Sequence, residues 1–323
     1  MAKSKNLYVY SISRLRARET KLLDSKTIDS LVDAADMSEI CRILTDKGWE
    51  ISEDNPSKAI QVQTDLLWAF ARELIDDMSE IAALRAEKDF HNLKAALKSA
   101  YMNIEPDRYF LKYGLVDTEL IKKAVSEKDF SLLPEFMKEI AQEAFEALFK
   151  RGDSQWSDSV IDKGSLEASL KFSENSSSQL LKDYCVTRIN ISDLKIAIRG
   201  AKAGKDKEFF EKFLVTTKDF GKDSLAEAAV SGEEAVYEYL ERTEYKDAVE
   251  MLKEDFASFE RWCDDKIVAQ IRREKHNPFT LSPIVAYIIA REIEIKNVGI
   301  IIVAKRNDFE KADVQKRMRQ MYV

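Results

Sequence analysis

The sequence predicts an all-α protein, and three observations carry that prediction. Glycine and proline contribute only 9 and 5 of the 323 residues, so residues that form turns are scarce. Charged residues make up 34% and hydrophobic residues 45% of the chain, a mixture typical of long amphipathic helices. The third observation is an internal repeat: a short polar residue followed by an aliphatic run occurs three times, at intervals of about 100 residues.

Three segments align residue by residue: His91–Lys98, Ser192–Arg199 and Lys296–Val303. Each segment places an amide or an acid, namely Asn92, Asp193 or Asn297, before an apolar residue. A regular period indicates copies of one structural unit. We therefore expect three homologous helical units, which comprise residues 1–107, 108–208 and 209–323.

Each unit is predicted to begin with short helices. The segment Leu22–Ile28 resembles Leu115–Ile121, and a fainter third copy begins at Asp223. Asp24 and Asp117 occupy matching positions before a serine and a threonine, and short polar side chains of this kind favour helix N-caps. The sequence therefore predicts that a helix starts directly after each of these aspartates.

Long helices are predicted to follow the short ones. Apolar residues recur every three or four positions through residues 57–102, without glycine or proline, which indicates one continuous helix. A second long segment runs over residues 164–204 with a polar bend at 173–178, and a third runs over 245–276. A final long helix is predicted from Leu281, since the following proline is tolerated in a first helical turn.

The final helix contains one conflicting signal. Ile300–Val303 is a β-branched run, which favours a strand by propensity alone. The equivalent residues of the first copy, Leu93–Ala100, strongly favour a helix. Because homologous copies share a fold, we predict a helix for the third copy as well.

Two segments imitate enzyme motifs. Gly200–Asp206 resembles a phosphate-binding loop, but three residues instead of four separate its glycines and Asp206 replaces the required hydroxyl. A helix end closed by glycine is the favoured interpretation. Asp76, Asp77 and Glu80 resemble the Mg²⁺-binding motif of prenyl synthases, with Asp264–Asp265 as a possible second half. The solvated face of an amphipathic helix is the favoured interpretation of those acids.

Other classes of function have little support in the sequence. The 2 histidines and 3 cysteines lack metal-ligand spacing, and no catalytic set of residues emerges, so we predict no enzyme activity, metal or cofactor. A net charge of −7 argues against a nucleic-acid partner. Charges interrupt the most apolar run after Ala290, so we predict no membrane span, which needs about 20 apolar residues.

Both ends of the chain resemble one known family. The patterns are Ala290–Lys305 closing on Met321–Val323, and Tyr10–Glu19 followed by Leu22–Asp24. They resemble the C subunit of prokaryotic V-type (A-type) ATPases, the counterpart of the d subunit of eukaryotic V-ATPases, and the resemblance spans nearly the whole chain. One departure is Gly299, which stands where the family often has Lys or Arg after the Asn-Leu pair.

The resemblance implies an all-α funnel with pseudo-three-fold symmetry on the cytoplasmic face of a membrane. As part of the rotor, the funnel would sit on the membrane rotor ring and receive the tip of the central stalk. Its partners would be central-stalk subunits, the ring and other ATPase subunits, in a machine that couples ATP to proton or sodium transport. The family has no catalytic site of its own.

The repeated motif supplies the candidate partner interface. We expect these residues near the axis of the funnel: His91, Asn92, Lys94, Asp193, Lys195, Arg199, Lys296 and Asn297. An equally open alternative is that the amide or acid joins neighbouring helices inside its own unit. A general helical adaptor is one alternative function, although a period of about 100 residues exceeds that of helical solenoids. A prenyl synthase that uses the aspartate-rich motif is the other, less favoured alternative.

Overall fold

The structure, a computed structural model, describes residues 8–217 and 219–323, apart from the side chain of His276. All regular elements within these residues are helices, which confirms the predicted all-α fold class. None of the helices in this part of the chain combines the length and apolarity needed to cross a bilayer.

Sixteen α-helices lie within the described residues. In chain order they are α1 (Val9–Glu19), α2 (Ser25–Asp33), α3 (Met37–Asp46), α4 (Pro56–Leu74), α5 (Ala82–Met102), α6 (Thr118–Glu127), α7 (Glu135–Phe145), α8 (Ser154–Glu174), α9 (Gln179–Lys202), α10 (Lys207–Phe213), α11 (Lys222–Ser231), α12 (Glu233–Leu240), α13 (Ala248–Glu254), α14 (Phe256–Arg273), α15 (Ser282–Arg306) and α16 (Lys311–Arg317). Short 3₁₀ turns occupy Met78–Ile81, Asp107–Tyr109, Phe130–Leu132 and Glu274–His276, and a π turn occupies Glu146–Lys150.

The order of the helices recurs along the chain. The short helices α2 and α3 precede the long helices α4 and α5, and α6 and α7 likewise precede α8 and α9. In the last third of the chain α11 and α12 precede α14 and α15, with the short α13 inserted between them. The boundaries of the three predicted units, 107/108 and 208/209, stay a prediction.

The chain forms two compact units, which are divided differently from the sequence repeat. The first unit holds the described residues up to Met78, Ser177–Leu180 and Tyr245–Val323, and the second holds Ser79–Ser176 and the described part of Leu181–Glu244. In the first unit α15 packs on α1, α2, α3 and α4, and in the second α5 packs on α6, α7 and α8. The last helix of a sequence copy thus packs against helices of another copy.

Each unit has an apolar core centred on its long helices. In the first unit every residue of Ile284–Ala290 in α15 is buried, as expected of a helix that is apolar on all sides. In the second unit Phe90 and Leu93 of α5 pack in one cluster with Met137 and Phe145 of α7. Close packing of this kind makes a protein interior resistant to deformation.

The prediction of one continuous helix over residues 57–102 is wrong. Helix α4 ends at Leu74, Ile75 is extended (φ −121°, ψ 113°), and α5 begins only at Ala82. The apolar rhythm continues across the break because Leu74, Ile75 and Ile81 are all buried, so periodicity alone could not reveal it. Asp76 and Asp77 are exposed as predicted but lie in the break, where short acidic side chains favour turns over helix.

Several local predictions are confirmed. Asp24 accepts a hydrogen bond from the backbone N–H of Thr27 at 2.9 Å, and Asp117 accepts one from Glu119 at 2.9 Å, so both cap helices. The predicted bend lies between α8 and α9. Helix α15 runs through the β-branched segment without interruption.

The loop that imitates a phosphate-binding motif is the closed end of helix α9. Gly204 has a φ of +62°, the left-handed conformation that favours glycine. The N–H of Lys205 donates to the Gly200 carbonyl at 2.9 Å and the N–H of Gly204 donates to that of Ala201 at 3.1 Å, which is the Schellman pattern. Asp206 caps α10 by accepting from the N–H of Phe209 at 2.9 Å, so the interpretation as a helix end is confirmed.

Candidate functional site

Asn92, the motif residue of the first copy, binds the backbone of the segment that follows its helix. Its Nδ2 donates to the carbonyl oxygen of Leu111 at 2.8 Å, and the N–H of Leu111 donates to its Oδ1 at 2.7 Å. The Asn92 side chain is fully buried. One amide thereby satisfies both polar groups of one backbone residue and anchors the linker that leads to α6.

The other two motif residues make matching contacts. Asp193 accepts the N–H of Val215 at 3.1 and 3.2 Å through its two carboxylate oxygens. Asn297 donates to the carbonyl of Arg319 at 3.0 Å and accepts from its N–H at 3.3 Å. The bonded backbone lies 19 residues after Asn92 and 22 residues after Asp193 and Asn297. We call Asn92, Asp193 and Asn297 the clasp residues.

A second set of buried polar side chains lies three positions before each clasp residue. Its members are Asp89, Asn190 and Glu294, and the structure buries all three completely. Asp89 accepts the backbone N–H groups of Leu115 at 2.9 Å and Val116 at 3.0 Å. Sequence analysis missed this set because the aligned segments begin after it. The sequence did contain a signal for this set, because an Asp, Asn or Glu occurs three residues before each clasp residue.

Asn190 and Glu294 also bind chain segments outside their own helix. Asn190 donates to Asp219 Oδ2 at 2.7 Å and accepts from the hydroxyl of Thr217 at 2.7 Å. Glu294 accepts the backbone N–H of Leu23 at 2.9 Å. In the sequence repeat Leu23 is the counterpart of Val116, which Asp89 binds. Glu294 of the third copy thus binds the start of the first copy, and both lie in the first compact unit. Asp89 of the first copy binds the start of the second copy in the same way.

Burial shifts the protonation of the two aspartates. Loss of hydration raises the pKa of Asp89 to about 6, against the opposing effect of the Val116 and Leu115 N–H groups. Burial raises the pKa of Asp193 to about 8, which outweighs the N–H of Val215 and the nearby charge of Lys163. Asp193 therefore holds a proton through much of the neutral range.

The charged residues that flank the motif are more accessible. Lys94 forms an ion pair with Asp162 of α8 at 2.5 Å, and a longer one with Asp158 at 4.0 Å. His91 is exposed and donates through Nε2 to the carbonyl of Tyr109 at 3.0 Å. His91, Lys94 and Leu111 line a cavity of about 290 Å³ in the second unit. His91 and Lys94 thus lie beside the linker after α5, which Asn92 binds.

The remaining predicted interface residues differ in exposure. Lys195 is half-buried, whereas Arg199 and Lys296 are exposed. The three clasp residues have at most 1% of their surface exposed, so their contacts in this structure are internal. These contacts are internal, as in the alternative to partner contact, but they do not join neighbouring helices of one predicted unit. Asn92 and Asp193 each bind backbone of the unit that follows their own. Partner contact by the exposed and half-buried residues stays a prediction.

The surroundings of Gly299 differ from those of its counterpart in the first copy. Gly299 occupies the position of Lys94 in the repeat, and a Cβ atom there would lie 3.8 Å from Ile60 Cδ1 of α4. Lys94 instead faces the carboxylate of Asp162. The counterpart in the first copy thus has an acidic partner, whereas the atom nearest to a Cβ at Gly299 is apolar.

Replacing Gly114 by Ala is expected to lower the free energy of unfolding by about 1–3 kcal/mol, the usual effect of overpacking. A Cβ atom at Gly114 would overlap the carboxylate of Asp89 and displace it from its two N–H donors. Urea unfolding followed by circular dichroism measures the change. The control is Gly299→Ala, which meets only ordinary contact and replaces a glycine inside a helix. The free energy of unfolding of Gly299→Ala is expected to rise by up to about 1 kcal/mol. If it falls as much in Gly299→Ala as in Gly114→Ala, overlap with Asp89 is not the cause.

The fold and the clasps together define an all-α repeat protein in which repeated polar residues anchor linkers to long helices. Residues 11–317 match the ATP synthase (C/AC39) subunit family, and the chain belongs to that family. The resemblance seen in the two terminal patterns is thereby confirmed.

Curated relatives extend over nearly the same length. The chain is 22% identical to the C subunit of the V-type sodium ATPase of Enterococcus hirae, over 95% of this chain and 97% of that protein. It is 22% identical to the C subunit of the A-type ATP synthase of Methanocaldococcus jannaschii, over 95% of this chain and 85% of the relative. The corresponding A-type ATP synthase protein of Methanobrevibacter smithii is 24% identical, over 93% of this chain and 84% of the relative.

Proposed function

We propose that the chain is a non-catalytic rotor subunit of a V/A-type ATPase, a socket that joins the membrane rotor ring to the central stalk. Membership of the ATP synthase (C/AC39) subunit family over residues 11–317 carries this proposal. In this role the protein lies on the cytoplasmic face of the membrane, contacts other ATPase subunits and transmits torque for ATP-coupled transport of protons or sodium. Its three copies surround a common axis as a funnel.

The internal contacts support a mechanical role. A part that transmits torque must not deform between its two interfaces, and close-packed helices transmit strain. Linkers are ordinarily the more mobile parts of a fold. Here Asn92 holds Leu111 and Asp89 holds Leu115 and Val116, so the linker after α5 is fixed at several points. The clasps of the other copies stiffen their linkers in the same way.

Capture of the tagged protein from its own cells tests this proposal against a general adaptor. A rotor subunit brings both central-stalk and ring subunits with it after mild detergent extraction, as identified by mass spectrometry. Recovery of unrelated proteins without any ATPase subunit would support the adaptor and contradict the proposal.

The exposed motif charges provide a sharper prediction. Arg199→Glu and Lys296→Glu are each expected to weaken binding to the purified stalk subunits by about tenfold, mainly through slower association, because complementary charge steers docking. Surface biosensing measures both rate constants. The control is Lys253→Glu, which makes the same charge change at an exposed site of α13 outside the motif. Unchanged association of both motif variants would remove these residues from the interface.

A further inference from the structure

The first compact unit contains a cavity that the clasps do not use. The cavity has a volume of about 430 Å³, which lies in the range of small-molecule sites. Four cationic residues, Arg18, Lys21, Lys47 and Arg291, line it, and Asp46 is the acidic residue among the lining groups. The whole chain carries a net charge of −7, so this concentration of positive charge is local.

Arg291 is the most buried of these cations, and several contacts hold its side chain in place. Its side chain is 11% exposed and forms an ion pair with Glu294. Its second terminal nitrogen donates to Gln63, and its guanidinium lies over the ring of Trp49 at 5.2 Å. A guanidinium has five N–H donors, and the one hydrogen bond that Arg291 makes within the described residues, to Gln63, leaves donors that a bound anion can use.

The other three cations are exposed residues of the cavity lining. Arg18 and Lys21 lie at and after the end of α1, and Lys47 follows α3, so separate segments bring them together. All three are exposed, and none forms an ion pair with a residue in 8–217 or 219–323. Arg18 instead lies over the ring of Phe70 at 5.1 Å. Asp46 in the lining and Glu294 behind Arg291 offset part of the charge of the four cations, and the remaining excess of positive charge favours binding of an anion.

We propose that this cavity binds a small phosphate-bearing anion. Guanidinium groups bind phosphate through paired hydrogen bonds, and lysines add point charges. A phosphate group carries about −1.5 to −2 charges and three acceptor oxygens, which suits a cavity lined by several cations better than a single carboxylate does. The volume of about 430 Å³ matches that of small-molecule sites, which favours a small molecule over an acidic protein segment. This site is independent of the rotor role.

Titration calorimetry with pyrophosphate at low ionic strength tests the site. We expect saturable binding of one pyrophosphate per chain, weakened at high salt. The double variant with Lys21→Glu and Lys47→Glu is expected to bind at least about tenfold more weakly, since each lost charge removes a charge-assisted contact. Both side chains are exposed, so the fold is expected to survive.

The matched control is the double variant with Lys246→Glu and Lys253→Glu, which changes the same number of exposed lysines elsewhere in the unit. It is expected to bind pyrophosphate as the unaltered chain does. Arg291→Lys keeps the charge but loses the paired hydrogen bonds, and is expected to bind more weakly as well. No saturation up to about 10 mM pyrophosphate, equal loss in the control, or binding of a glutamate-rich peptide in preference to pyrophosphate would each overturn the proposal.

Discussion

The variant Asn92→Leu is expected to lose about 2–4 kcal/mol of unfolding free energy. Leucine has the branched shape of asparagine but cannot pair with the N–H and carbonyl of Leu111, which Asn92 binds at 2.7 and 2.8 Å. A buried polar group that loses its partner costs about 1–3 kcal/mol, and two groups lose theirs here. Urea unfolding followed by circular dichroism measures the change.

Hydrogen exchange distinguishes this cause from general destabilisation. The amide of Leu111 is expected to exchange faster in Asn92→Leu under native conditions, because local opening no longer has to break the two hydrogen bonds to Asn92. Gln155→Leu replaces an exposed amide of α8 and serves as the control, with an expected change within about 0.5 kcal/mol. A loss below that value in Asn92→Leu, with unchanged exchange at Leu111, would show that the clasp contributes little.

Asp193→Asn is expected to make the protein more stable above about pH 8 and to change its stability little near pH 4. Burial raises the pKa of Asp193 to about 8 in the folded chain, from an ordinary value of 3.8. The folded state therefore binds the proton more tightly than the unfolded state. The contribution of Asp193 to the free energy of unfolding is therefore complete below about pH 4 and is lost as the pH rises to about 8.

Asparagine removes that dependence because it carries no charge at any of these pH values. It can accept the N–H of Val215 as Asn92 accepts that of Leu111 in the equivalent position. We expect a gain on the order of 2 kcal/mol near pH 9, measured by urea unfolding across the pH series. Asp223→Asn, at an exposed carboxylate of α11, controls for the change in net charge. A pH profile parallel to that of the unaltered chain would contradict the explanation.

Local signals predicted much of the fold because their causes are local. Asp24 and Asp117 cap helices through N–H groups two or three residues away, and Gly204 closes α9 through bonds that span a few residues. The helix through Ile300–Val303 was predictable from its equivalent in the first copy, because a shared fold outweighs local propensity.

The rest depended on contacts between distant parts of the chain. The break at Ile75 leaves the apolar rhythm intact, since Leu74, Ile75 and Ile81 are all buried across it. The sequence placed Asn92, Asp193 and Asn297 in equivalent positions but could not identify their backbone partners about 20 residues away. For the same reason it could not distinguish an internal clasp from a partner contact.

The most direct test of the central claim measures coupling in an ATPase reconstituted into vesicles with and without this chain. If the chain joins rotor ring and stalk, complexes that lack it hydrolyse ATP but do not transport ions into the vesicles. Adding the purified chain then restores ATP-driven ion uptake. Equal ion uptake per ATP hydrolysed in the absence and presence of the chain would contradict the account.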